Sequence, residues 1–515
     1  MTTEQFCILS AIVIYLCGMI YVGFYFSKRG GGGSSDEFYL GGRKLGPVVT
    51  AMSAEASDMS SYLLMGLPGL AYLSGLADVG WTVIGLAVGT YLNWLIVAKP
   101  LRRYTAAIGA ITIPDFFSRR YRDDRNILTC IAAVVILIFF IPYTASGFKA
   151  VGTLFNSLFG VDYHTAMIVG AIVIVGYTVL GGFLAVSTTD LIQSIVMTLA
   201  LLGIVLFGIH TAGGWDTVME NARSLEGYLS MTRTHNMANG SSSPYGFITI
   251  ISTCAWGLGY FGMPHILLRF MAIQDEEKLK TSRRIATVWV VISMFVAILI
   301  GIVGYAVSVT GQIPFLTTSA DSETVIIHLS DLLSRGGVLF ALCAGIVLAG
   351  ILASTMSTAD SQLLTAASSV SQNLFQDFFK IQLSEKASMT AARLTVIGVA
   401  LVSIFLAWDP ASSVFTIVSF AWAGFGAAFG PVMLFALFWK RSNKWGALAG
   451  MISGGVTVFV WKYLVRPLGG AWNIYELLPA FLVACAAIVA VSLATAPPSR
   501  EICDEFDSVG RASAR

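Results

Sequence analysis

Thirteen apolar stretches separated by polar segments run along the chain, at residues 6–27, 47–73, 79–98, 127–156, 163–181, 185–213, 246–271, 285–310, 336–376, 390–408, 413–439, 445–465 and 474–496. They are numbered spans 1 to 13 below. Most reach the roughly 20 residues of helix that cross a hydrocarbon core of about 30 Å. None has the ten-residue alternation of a membrane β-barrel strand, and in lipid only helices and closed barrels satisfy their own backbone polar groups. The pattern therefore predicts an all-α, multi-pass membrane protein of about 13 transmembrane helices. Span 9 is too long for a simple crossing and is expected to tilt or to run on past the membrane. Span 1 has no basic residue before it and a longer apolar run than a signal peptide, so it reads as a retained helix.

Composition agrees: 56% of the residues are hydrophobic and 12% charged, which leaves too little polar surface for a soluble globule. No soluble domain is visible, which argues against a sensor kinase, an ATP-driven pump or an enzyme with a catalytic headpiece. A net charge of +2 with no Lys/Arg run gives no reason to expect a nucleic-acid partner. The basic residues instead set the orientation. With the N-terminus outside, 25 of the 31 Lys and Arg residues, Arg269 among them, fall on the inner side and five outside. The C-terminus is then inside. Lys149 lies within span 4 and is expected to snorkel to the interface. The RGGGGSS segment from Arg29 to Ser35 reads as a flexible tether, and the polar tail from Pro497 as poorly ordered. The seven cysteines are scattered, with neither metal-ligand nor disulfide spacing.

Two spans break the hydropathy pattern in related ways. Span 2 carries MSAEASDMSSYLLMGLPG, with Glu55 and Asp58 near mid-depth, and span 7 carries WGLGYFGMPH, rich in Gly and ending at Pro264 and His265. If spans 2–6 and 7–11 are two five-helix sets, both breaks open a set, and an odd number makes the sets run in opposite directions. Paired interruptions of this kind point to the binding site of a secondary transporter. A carboxylate such as Asp58 persists at that depth only beside water, an ion or a partner. Glu55, one turn away, is expected to tune coupling and its pH profile rather than create it. Asp190, near the start of span 6, reads equally as a helix cap or as a ligand for a second cation. In span 9, Ser354, Ser357, Thr358 and Ser361 fall at i, i+3, i+4 and i+7, a hydroxyl stripe on one helix face. Such hard oxygens suit sodium. Trp256 and Tyr260, at i and i+4, are expected to share a face.

FYLGGRKLGP, SAEASDMSSYLLMGLPG, IPYTASG, GGFLAVSTTDLIQ, WGLGYFGMPHIL, ILASTMSTADSQLL and FAWAGFGAAFGP together resemble the solute:sodium symporter family, most closely its bacterial sodium/proline branch, from about Asp36 to Ala496. The resemblance implies a LeuT-type core of two inverted five-helix repeats, at 45–213 and 246–440. An extra helix at 1–30, two more at 441–496 and a cytoplasmic tail at 497–515 would surround it. It implies a sodium site from the carbonyls of Ala56, Met59 and Ser354 and the hydroxyls of Ser357 and Thr358. It places the substrate among Ser60, Ser61, Tyr143, Trp256, Tyr260 and Pro264, and gives coupling roles to Asp58 and Arg43. The implied activity is sodium-coupled import of L-proline by alternating access in the inner (plasma) membrane, with sodium, proline and lipid as partners and no organic cofactor. Alternatives are a symporter of another small carboxylate or amino acid, such as pantothenate or sialic acid, or a transporter-like channel or sensor. Glu55, Ser61-Tyr62, Ser354 and Asp360 depart from the family's usual residues, which leaves ion number and pocket shape open.

Overall fold

The computed structural model describes residues 2–29, 35–180 and 182–511. Residues 30–34, most of the expected tether, lie outside them. Among the described residues, ten single helices are long and apolar enough to cross a membrane, and they coincide with spans 1, 3, 4, 6 and 8–13. Span 7 makes an eleventh as a bent pair, Phe247–Gly262 and Pro264–Ala272, at 47°. Span 5 is a shorter apolar helix, Tyr163–Leu180. Span 2 is broken: Pro47–Asp58 is helical, and a helix of widened turns, Tyr62–Gly66, leads into Leu67–Ser74. Span 9 runs 41 residues, Val338–Phe378, past any single crossing.

The broken spans sit at the centre. In span 11, 89% of the apolar window is buried inside the protein, against 22% in span 1, so span 11 is an inner helix and span 1 a rim helix. The glycines of span 7 serve close approach. A Cβ on Gly257 would lie 2.2 Å from the Gly85 carbonyl oxygen, so spans 3 and 7 cross backbone to backbone; one on Gly259 would lie 1.9 Å from the Trp422 indole nitrogen of span 11. The Trp256–Tyr260 stretch is a 3-10 helix, Ala255–Gly262. Residues i and i+3 eclipse there, so the expected shared α-helical face does not form. The two rings meet instead by flanking Trp422, at centroid distances of 6.2 and 5.1 Å.

The long loops pack over the ends of the spans. Segment 214–245 holds a helix, Trp215–Ser224, and a hairpin pairing Arg233–Asn236 with Ser241–Pro244, and the Tyr228 hydroxyl donates to the Tyr72 carbonyl at the end of span 2. In 311–335, Glu323 accepts from the Val414 and Phe415 amides and the Ser413 hydroxyl, capping span 11. Two expectations fail here. Lys149 does not snorkel: it is buried and donates to the Pro410 carbonyl and the Thr153 hydroxyl. The tail is not irregular over its described residues either, because Arg500–Arg511 is an amphipathic helix; residues 512–515 lie outside the described residues. Its Phe506 lies against the buried Arg120 guanidinium, and Glu501 and Glu505 pair with Arg122. A polar average over the tail hides a short apolar stripe that needs a partner surface to form.

Candidate functional site

A helix that stops inside the protein leaves its last carbonyls without intrahelical donors, and in span 2, where the helix ends at Asp58, other spans supply them. The Ala56 carbonyl accepts from the Ser357 hydroxyl at 2.8 Å, which brings spans 2 and 9 together where the ion ligands were expected. The Ser357 hydroxyl also lies 3.2 Å from the Ser354 carbonyl. Thr358, on the next position of the stripe, has a buried hydroxyl with no partner among the described residues. Three oxygens of the expected set, from Ala56, Ser354 and Ser357, thus meet at the break. Met59 is buried there with a non-helical backbone, φ −78° and ψ 71°, and its amide bonds the Glu55 carbonyl.

Asp58 faces aromatic hydroxyls. The Tyr260 hydroxyl donates to its Oδ2 at 2.6 Å, and the Tyr143 hydroxyl donates to its carbonyl at 3.1 Å. Its Oδ1 is buried without a partner among the described residues. Spans 2, 4 and 7 therefore meet at this residue. Trp256 stacks on Tyr475, with centroids 5.1 Å apart and planes at 17°, and faces Tyr62 at 6.5 Å. Its carbonyl accepts from the Trp422 indole at 2.8 Å. Ser61 has a buried, unpartnered hydroxyl, and Ser60 Oγ lies 3.4 Å from the Tyr62 amide. Pro264 opens the second helix of span 7, where its missing N–H costs nothing. The result is a buried group in which Tyr260 bonds the Asp58 carboxylate and Tyr143 its carbonyl, with Ser60, Ser61 and Trp256 buried on the same spans 2 and 7.

The other acidic residues are held elsewhere. Glu55 points toward span 3, where its Oε1 accepts from the Trp94 indole at 2.8 Å and the Thr90 hydroxyl at 3.1 Å. Asp190 caps nothing, because its helix starts at Phe183 with Gly182 as N-cap. Its Oδ2 accepts from the Ser53 hydroxyl at 2.6 Å and from Arg269 at 3.1 Å. Arg269 also donates to Ser361 Oγ at 2.6 Å and to Ser53 Oγ at 3.0 Å. The hydroxyl stripe of span 9 is therefore divided: Ser357 meets the break, while Ser361 serves an ion pair. Arg269, expected among the inner-side surface charges, is 1% exposed. Its place within residues 246–271 was the signal, since an ionisable residue inside a span calls for a partner. Arg43 ties the C-terminal end of span 7 to the segment after span 3, donating to the carbonyls of Met271, Thr105 and Ala110.

Residues 38–454 match the model of the sodium:solute symporter family. The chain is 43% identical over 492 residues to the high-affinity proline transporter PutP of Bacillus subtilis, covering 95% of this chain and 98% of that one. It is 41% identical over 511 residues to the sodium/proline symporter of Haemophilus influenzae, covering 98% of each. Among solved structures, a Na+-coupled sialic acid symporter in a substrate-bound outward-open state superposes with a TM-score of 0.76 at 18% identity, over 96% of this chain and 99% of that one.

Proposed function

Given that the chain belongs to the sodium:solute symporter family, we propose that it imports L-proline into the cell across the inner membrane, driven by sodium. The observation that carries this reading is the break in span 2, where the Ser357 hydroxyl of span 9 meets the Ala56 carbonyl two residues from Asp58, whose carboxylate accepts from the Tyr260 hydroxyl. The names of the relatives at 41–43% identity agree with it. On this reading Ala56, Met59, Ser354, Ser357 and Thr358 hold the ion. Ser60, Ser61, Tyr143, Trp256, Tyr260 and Pro264 form the proline pocket, whose aromatic walls suit the pyrrolidine ring and whose hydroxyls suit its charged groups. Asp58 couples the two, and Arg43 and Asp190 hold the inner side together.

The same reading takes spans 2–6 and 7–11 as inverted repeats within thirteen crossings, with the N-terminus outside and the C-terminus inside. The broken span 2 and the short span 5 then both cross. The energetics suffice. A potential of ~100 mV is worth about 2.3 kcal/mol per charge, and a tenfold sodium gradient adds about 1.4 kcal/mol. Together they support roughly 500-fold accumulation per ion.

The test is labelled-proline uptake into proteoliposomes with and without an inward sodium gradient. Uptake independent of sodium would refute the reading. Trp256→Ala removes one aromatic wall, a loss of about 1.5–3 kcal/mol of burial. The apparent KM for proline should therefore rise roughly ten- to a hundredfold while the sodium dependence shifts far less; equal shifts in both would mark a folding defect. Glu55→Gln keeps an acceptor for Trp94 and Thr90, so sodium-driven uptake should stay within a few-fold of wild type. A complete loss would instead place the charge of Glu55 in the coupling itself.

A further inference from the structure

One surface of span 8 has no role in the site above. Span 8, Leu279–Val309, starts from a basic foot. Lys280 and Arg284 are both exposed and stand four residues apart, on one face of the helix. Neither they nor Lys278 and Arg283 make an ion pair among the described residues, because the nearby Glu276 and Glu277 are taken by Arg103 and Lys99. Further along the same face come Val288, Ile292 and Phe295, each at least half exposed. Beside this face, between spans 6 and 8, lies a groove of about 570 Å³. Arg284 stands at its basic end, Leu202 and Val296 line its walls, and Met52 of span 2 is at its back. Trp289 lines it as well and fixes the two spans together by donating to the Thr198 hydroxyl at 2.9 Å. Unpaired cations above an apolar channel make an amphipathic site whose two ends call for a phosphate and a hydrocarbon chain.

We propose that this groove binds an anionic phospholipid of the inner leaflet. Arg284 and Lys280 take the headgroup phosphate, and one acyl chain lies along Trp289 and Val296 to Met52. Basic pockets between transmembrane helices on the inner side recognise anionic headgroups in this way. A free anion has no reason to stay, since the two cations are exposed and the rest of the groove is apolar. The chain would pack on the residue next to Ser53, whose hydroxyl bonds Asp190, so an occupant touches the inner half of the broken span 2.

The test uses the full-length protein in phosphatidylcholine vesicles containing brominated-chain phosphatidylglycerol or, separately, brominated-chain phosphatidylcholine. The signal is the fluorescence quenched in wild type but not in Trp289→Phe, which isolates this one indole. The anionic lipid should reach half-quenching at a mole fraction roughly fivefold lower than the zwitterionic lipid, and Lys280→Gln/Arg284→Gln should erase that difference. Both side chains are exposed, so the double variant should fold, and unchanged quenching by phosphatidylcholine checks that it has. Equal quenching by the two lipids in wild type overturns the assignment, as does a preference that survives the double substitution. Release of the preference by inorganic phosphate would make the site one for a free anion, which overturns it too.

Discussion

Thr358→Val is expected to weaken sodium binding ten- to a hundredfold, and proline binding with it. Valine keeps the shape of threonine and deletes one oxygen, so packing is nearly conserved. The Thr358 hydroxyl is buried with no partner among the described residues, while its neighbour Ser357 bonds the Ala56 carbonyl at the break. A buried hydroxyl without a bond carries a desolvation cost that a bound cation recovers. A polar contact to a charge is worth about 1.5–3 kcal/mol, which sets the size of the expected loss. Because the two ligands are coupled, a change in sodium affinity must appear in proline affinity. Calorimetry of sodium-dependent proline binding to the purified protein measures both. Wild-type sodium affinity in the valine variant would remove Thr358 from the site.

Arg269→Gln and Asp190→Asn should each do more damage separately than together. Removing one partner of a buried ion pair strands the other and costs about 3–5 kcal/mol. Here the guanidinium also reaches Ser53 and Ser361, so spans 2, 6, 7 and 9 all depend on it. Each single variant should unfold at a clearly lower temperature and retain less than about a tenth of wild-type uptake, whereas the double variant, in which neither partner of the pair is left without the other, recovers part of both. Thermal unfolding monitored by intrinsic fluorescence and proline uptake read the cycle. If Asp190→Asn instead leaves stability intact and lowers the Hill slope for sodium, Asp190 is an ion ligand and not half of a structural pair.

Much of this architecture can be read from composition along the chain. Apolar length marks the spans, and the small and polar run at Asp58 with the Gly/Pro run at Trp256 marks the two breaks. Hydroxyl spacing in span 9 singles out Ser357, which meets the Ala56 carbonyl, because helical periodicity is local. What escapes is set by distant partners. Asp190 and Arg269 come from different spans, and only packing reveals that the cation Asp190 holds is a side chain. Glu55 looks like a companion of Asp58 by spacing, yet its oxygen belongs to Trp94 and Thr90 of span 3. Lys149 satisfies its ammonium on a carbonyl beyond the end of span 10. The tail helix forms because Arg120, Arg122 and Lys440 offer it a surface.

The backbone crossing of Gly257 on Gly85 has a mechanical consequence. With no side chains between them, spans 3 and 7 have no compliant layer to shear, and the Trp422 indole also holds the first half of span 7. That half is in effect part of the frame. Any tilting of span 7 must then be taken up at Met263, where the backbone is extended, ψ 107°, and the following proline donates no hydrogen bond across the joint. The second half is a rigid lever from Pro264 to Ala272, about 12 Å long at 1.5 Å per residue. A 10° swing therefore moves its far end by only about 2 Å, on the order of a hydrogen bond's reach. The far end is where Arg43 holds the Met271 carbonyl and where the Leu45 amide bonds the Ala272 carbonyl. So small a stroke is enough to break those latches, and the fixed fulcrum concentrates the motion on them.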